Sequence, residues 1–237
     1  MNTALCAPAH CQNCPHLNQS LMGACQLSEL SLISLGKVSQ VYRKGQTIFQ
    51  KGTRPNGIYC IHRGKAKLSK VTADGKEQIV RLAKEGDVLG YQSLMANGCY
   101  SATAVALSDC VVCHVSRADF LSTLEQNAQF SHALTRLLAT TLRETEERIV
   151  HMAYKSVRER LADALLVLHQ FFQDPTSAAS LGISISREDL AAFMGTAKET
   201  ASRLLSEFRE EGLVETHGRR ITVLNLAELT KISALYE

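Results

Sequence analysis

Cys6, His10, Cys11, Cys14, His16 and Cys25 crowd the first part of the chain, interleaved with Pro8 and Pro15. Thiolates and imidazoles packed this closely bind metal, react, or pack. The pair Cys11-x-x-Cys14 lets adjacent thiolates grip one metal or one edge of an iron–sulfur centre without backbone strain, which makes the spacing a strong sign of metal and a weak one of which metal. Zinc, which takes imidazole as readily as thiolate, stays open through His10 and His16. A thiol switch also stays open. Farther along, Cys60 alternates with Ile58 and reads as a packing residue, since free cysteine is among the most buried residue types. Cys110 and Cys113, three apart in DCVVCHVS, face opposite sides of an extended strand and are not expected to share an ion.

A second group lies between Ile185 and Arg220. Ser186 caps a predicted helix from Arg187 to Met194, with Asp189 three residues on, and Leu190, Ala191 and Met194 fall on one face. Gly195 supplies a turn. The following helix buries Ala201, Leu204, Leu205 and Phe208, so Lys198, Glu199, Ser202 and Arg203 emerge together opposite that stripe, near the helix N-terminus. This is a helix-turn-helix, whose second helix enters the DNA major groove N-terminal end first. Each of these residues also has a surface explanation: Glu199 would complete a capping box begun at Thr196, and Glu199 with Arg203 is an ordinary i,i+4 pair. A hairpin follows, Leu213 to Thr216, a turn at His217-Gly218, and Arg219 to Leu224. Arg219 and Arg220 at its tip are placed to meet phosphates.

The segments that must position these groups change period along the chain. From Val41 to Ser116, short stretches rich in β-branched residues alternate with glycines, Asp74-Gly75 being the clearest tight turn, and predict an antiparallel roll or sandwich. Phe120 to Met152 returns to helical spacing, and a further helix capped by Ser156 and Glu159 carries Leu161, Leu165, Leu168 and Phe172. At 237 residues and 45% hydrophobic content the chain can bury one or two cores, and no apolar run approaches a membrane span. The first residues lack the basic region and apolar core of a signal peptide, so the eight cysteines are expected to stay reduced in the cytoplasm. A formal charge of +3 does not by itself decide for or against nucleic acid. There is no Ser/His/Asp spacing, phosphate loop or paired-carboxylate motif to support catalysis.

Taken together, these stretches resemble the CRP/FNR family of bacterial regulators over nearly the whole chain. Glu199-Thr200-Ala201-Ser202-Arg203 matches the E-x-x-S-R of the recognition helix in the FNR branch, and KGQTIFQKG…IYCIHRGKAKL…GKEQIVRLAKEGDVLG is similar to the cyclic-nucleotide-binding-type roll. Where the family usually starts the recognition helix on Ser or Thr, this chain has Ala197, so the cap moves to Thr196 or is lost. The resemblance implies an α+β fold with a cysteine-rich arm (1–27), a β-roll sensor domain (28–125), a dimerisation helix (126–154) and a winged helix-turn-helix domain (155–237). It implies an oxygen-sensing [4Fe–4S] cluster with three ligands in the arm and one on the roll, here Cys11, Cys14, Cys25 and Cys113, with Cys6 to spare. Ten residues separate Cys14 from Cys25, where enterobacterial members have five.

It implies further a homodimer along Leu134, Leu138, Leu142 and Ile149, although the same residues would also serve a helix lying on its own roll. Glu146 and Glu147 near such a seam would repel their copies, as a switchable dimer requires. Double-stranded DNA with a palindromic TTGAT-like site and RNA polymerase are the implied partners, with no membrane. Cyclic nucleotide is not expected, because the positions that would hold the ribose-binding acid and the phosphate-binding arginine are Tyr91 and Tyr100. Three other readings stay open: a regulator of the same family sensing nitric oxide through haem, one sensing thiol oxidation, and a zinc-binding or enzymatic protein using the cysteine run.

Overall fold

The computed structural model describes residues 10–173 and 182–234, so Cys6 lies outside the described residues. Contacts gather into two units, residues up to 70 with 80–143, and 71–79 with 144 onward. Both are mixed α and β, and the chain is an α+β protein.

In the first unit, three short 3-10 turns (Cys11–Asn13, Leu17–Gln19, Leu21–Ala24) lead into helix α1 (Leu27–Gly36). Gln26 and Glu29 start α1 with a reciprocal capping box, and Leu30 and Ile33, one turn apart, are its buried residues. Strands β1 (Val38–Tyr42), β2 (Thr47–Phe49), β3 (Gly57–Arg63), β4 (Ala66–Val71), β5 (Glu77–Ala83), β6 (Val88–Leu89), β7 (Thr103–Ala106) and β8 (Cys110–Ser116) follow. They form two antiparallel four-stranded sheets ordered β1-β8-β3-β6 and β2-β7-β4-β5.

Side chains alternate along each strand, so every strand of the first sheet offers one face to the opposite sheet and one away from it. Ile61, Leu89, Cys110 and Val112 point inward to meet Phe49, Leu68, Ala83 and Ala104. Ile58, Val88 and Val115 point outward, where Leu30 and Ile33 of α1, Tyr91 and Leu94 of helix α2 (Tyr91–Met95), Phe120 of helix α3 (Arg117–Gln126), and Phe130 and Leu134 of helix α4 (Ala128–Tyr154) cover them.

The predicted helix from Phe120 is divided at Asn127. That buried side chain accepts from Phe130 N at 3.0 Å and so caps α4, while its Nδ2 donates to Ala24 O at 3.1 Å and to Glu29 Oε2 at 2.7 Å. Leu134, expected on an intermolecular seam, is 2% exposed and belongs to the roll's own core, and Leu138 leans on the same cluster. The apolar stem of the helix packs on its own sheet first. Leu142 and Ile149, at 60% and 63%, stand in solvent with Val150 and Tyr154.

In the second unit, helix α5 (Val157–Phe172) begins on a Ser156/Glu159 capping box and buries Leu161, Leu165 and Leu168. Phe171, rather than the expected Phe172, completes the buried face. Strand β9 (Ile183–Ser184), helix α6 (Arg187–Met194), helix α7 (Lys198–Glu210), strands β10 (Val214–His217) and β11 (Arg220–Val223) and helix α8 (Leu226–Ser233) complete it. β9 adds a third strand to the hairpin through Ile183 opposite Ile221. Lys155, buried against α8, reaches Asp163 Oδ1 at 3.6 Å and Ser233 Oγ at 3.4 Å, which spares its charge from isolation. No helix among the described residues is long and apolar enough to cross a membrane.

Candidate metal centre and nucleic-acid interface

The outward face of the first sheet, near the arm, carries the thiols. Cys60 on β3 stands directly opposite Cys113 on β8, in the same outward parity as the pair Ile58 and Val115. The arm lies over them. Cys11, Cys14, His16, Cys60, His62, Lys37 and Cys113 line one partly open cavity of about 50 Å³. The first 3-10 turn sets the Cys-x-x-Cys pair, with Cys14 N donating to Cys11 O at 3.0 Å, and Cys11 N donates to Ser34 Oγ of α1 at 2.8 Å. Cys14 Sγ lies 3.6 Å from His62 Nδ1, and Cys113 Sγ lies 3.5 Å from Ser39 Oγ. His16 meets His62 edge-on, ring centres 6.2 Å apart.

Cys25 is half-buried, follows the third 3-10 turn, and packs on the same outer cluster as Cys11 and Cys60, but it is not in the cavity lining. Burial, then Glu29, then Cys11 push its thiol up to about 12. Burial likewise raises Cys60, with Cys113, Cys11, Cys14 and Cys25 adding to it, and raises Cys113 against the opposing pull of Ser39 and Lys37. All three are therefore thiols, not thiolates, at neutral pH. A bound cation would reverse that, because metal stabilises the deprotonated sulfur that burial alone disfavours. Burial first, then His16, Lys37 and Arg63, lower His62 and keep its imidazole neutral.

Of the expected ligands, Cys11, Cys14 and Cys113 share this cavity and Cys25 stands behind it. Among the described residues, no three His, Cys, Asp or Glu side chains converge as they would around a single ion. Cys60 packs against the outer apolar cluster as expected, and it also lines the cavity, on the face away from the core between the sheets. Strand parity did reveal that Cys60 and Ile58 share a face. What covers that face was not in the pattern. Cys110, by contrast, is buried between the sheets and donates to Lys65 O and Ser108 O at 3.2 Å each. His10 is exposed and does not line the cavity. Tyr91 and Tyr100 are packed in the two cores, the first with its hydroxyl 3.2 Å from Arg81 Nη1 and 3.1 Å from Thr141 Oγ1, the second stacked on Phe49.

The second site is the helix-turn-helix. Ser186 Oγ accepts from Asp189 N at 3.0 Å to open α6, and Gly195, at φ 69°, closes it in the left-handed region that glycine enters without cost. Leu190, Ala191 and Met194 of α6 pack with Ala201, Leu204, Leu205 and Phe208 of α7 out of solvent. No side chain caps α7 at Ala197. Lys198, Glu199 and Arg203 are exposed and Ser202 is half-buried, all on one face of the first two turns. Lys198 Nζ pairs with Glu188 Oε1 of α6 at 2.5 Å. Arg203 pairs with Glu207 one turn on, not with Glu199.

At the wing, His217 pairs with Arg220 across a turn of Gly218 and Arg219. The Arg220 side chain lies over Gly182, where a β-carbon would collide with its Nε. Arg219 is exposed at the tip. Arg187, which sequence motifs did not single out, donates from Nη2 to Gly218 O at 3.1 Å and steadies that turn.

Two family models match the chain: a cyclic nucleotide-binding domain over residues 39–127 and a Crp-like helix-turn-helix domain over residues 159–232. The chain is 31% identical to the regulatory protein HlyX of Actinobacillus pleuropneumoniae, covering 93% of this chain and 92% of that one. It is 28% identical to the fumarate and nitrate reduction regulatory protein of Escherichia coli K12, covering 94% and 90%. The solved structure of FixK2 from Bradyrhizobium japonicum superposes with a TM-score of 0.75 at 25% identity, covering 85% of this chain and 99% of that one.

Proposed function

The chain belongs to the CRP/FNR family of transcription regulators, DNA-binding proteins and not enzymes, and from that premise we propose that it reports dioxygen or redox state to promoters through an iron–sulfur cluster. The observation that carries this reading is the cavity into which arm and roll both turn thiols. Sulfurs spread around a space of that kind suit a polynuclear cluster, which brings its own iron and sulfide, better than a lone zinc ion, whose donors must converge. Cys11, Cys14 and Cys25 of the arm with Cys113 of the roll would hold it, and Lys37 would offset part of its negative charge. Bound there, a [4Fe–4S] cluster supplies an oxidisable bond between arm and roll. The likeness to a fumarate and nitrate reduction regulator supports a signal tied to oxygen supply.

The chain's own residues carry the position of the arm onward. Asn127 joins Ala24, the neighbour of Cys25, to the first turn of α4. Farther along the same helix, Leu142 and Ile149 present apolar surface that a second copy would cover, forming a homodimer with Leu138 at its edge. On DNA, Arg203 donates bidentately to guanine, Glu199 accepts from a cytosine or adenine amino group, and Ser202 helps select a TTGAT-like half-site. Lys198, Arg219 and Arg220 contact phosphates. The protein works in the cytoplasm with RNA polymerase as its protein partner.

The test is a mobility-shift titration, under nitrogen and after air, on a duplex with two inverted TTGAT half-sites one helical turn apart and on a scrambled duplex. Tight binding to the palindrome under nitrogen only is the expected result. Equal binding before and after air would overturn the redox reading, and equal binding to both duplexes would overturn the base assignments.

A further inference from the structure

Four thiols line the cavity, and one of them, Cys60, is absent from the set just assigned. Its place in the fold is fixed by register. On neighbouring antiparallel strands, directly opposite residues of one face hold their β-carbons about 4.5–5.5 Å apart, and Cys60 and Cys113 are such a pair. A ligand bound to Cys113 therefore lies within reach of Cys60. Cys25 occupies the opposite situation: it belongs to the arm, stands outside the cavity lining, and packs beside Cys11 and Glu29.

Resting on the cluster reading, we infer that Cys60 is a fifth ligand-competent thiol of this centre, able to stand in for Cys25. Two sets of four then exist. Both contain Cys11, Cys14 and Cys113. One adds a third sulfur from the arm and the other a second sulfur from the sheet. In either set the sulfur that binds iron gives up its S–H proton to solvent, and the unused thiol keeps its own. The long interval between Cys14 and Cys25 is tolerable on this account, because Cys25 is not obligatory.

The experiment compares full-length wild type with Cys25→Ser, Cys60→Ser and the Cys25→Ser/Cys60→Ser double variant, reconstituted under nitrogen with ferrous iron and sulfide. Iron and acid-labile sulfide per chain are measured, and thiols that escape alkylation are mapped by mass spectrometry. Each single variant is expected to hold the wild-type iron content, with Cys60 protected in Cys25→Ser, and the double variant to lose it. Cys25→Ala repeats the test in case the half-buried site rejects serine. Loss in the Cys25 single variants as complete as in the double overturns the inference while leaving the cluster reading intact, and so does a double variant that keeps its iron. A wild type that takes up no iron removes both, and is distinguished by all the proteins being equally empty.

Discussion

Arg203, the proposed base-reading residue, is already paired. Its bond to Glu207 joins two solvent-facing side chains, and such pairs are worth roughly 0.2–1 kcal/mol, so exchanging it for a bidentate contact to guanine, worth about 1–3 kcal/mol of discrimination, is favourable. Arg203→Ala is expected to lose about 1–3 kcal/mol of preference at a single base pair of the half-site, read by binding selection. If Arg219 contacts phosphate as proposed, Arg219→Ala is expected instead to weaken all duplexes alike and to lower the slope of log affinity against log salt by about one. A preserved base preference in Arg203→Ala would move the recognition helix. The exposed face that carries Arg203 was legible in the sequence because one helical period separates a buried stripe from an exposed one and needs no partner to be read. The place of Cys60 in the cavity wall was not, because parity on a strand tells which residues share a face and leaves unsaid whether a sheet or an arm covers it.

Elements differ in how openly they declare themselves. α6 was predictable to its ends from Ser186 and Gly195, each of which solves a problem of unsatisfied backbone groups. α1 was hidden, because Leu27, Leu32 and Leu35 are exposed while Leu30 and Ile33 are buried, so its apolar residues encircle the helix instead of forming a stripe. β9, two residues long, has too short a pattern to see and exists through its pairing with β11. Gly195→Ala forces a side chain into the left-handed region at a cost of about 1–2 kcal/mol, and its β-carbon would run into the Met152 methyl, a collision the flexible Met152 side chain can relieve. A urea melt of the variant should show a loss of that size, and an unchanged midpoint would contradict the turn geometry. Asn127→Ala strands a buried N–H at Phe130 and releases Ala24, with an expected loss of about 1–3 kcal/mol for the orphaned group. Hydrogen exchange should then quicken in the first turn of α4 and around Ala24 together. Quickening at α4 alone would mean that Asn127 caps the helix without linking it to the arm.

At the scale of the molecule, the long helix divides its apolar residues between two uses. Leu134 is committed to the roll, and its four-residue spacing with Leu138 and Leu142 could not say so, since a seam on one's own sheet and a seam on a twin share one period. What remains exposed, Leu142, Ile149, Val150 and Tyr154, is interrupted by Glu146 and Glu147, all in solvent. A seam so charged is weak by itself, and carrying a two-state equilibrium from almost all monomer to almost all dimer takes about 5.5 kcal/mol of differential stabilisation. Metal–thiolate bonds between arm and roll are of the right scale, and scattered surface contacts are not. A cluster held by the Cys-x-x-Cys pair is proposed to govern this association, and the decisive measurement is sedimentation under nitrogen with parallel iron and sulfide analysis, on wild type, on air-exposed wild type and on Cys11→Ser/Cys14→Ser. An iron- and sulfide-bearing dimer is expected for the first and iron-poor monomers for the other two; an iron-free variant that sediments as a dimer, or a wild type that carries zinc in place of iron, would contradict cluster control of the dimer.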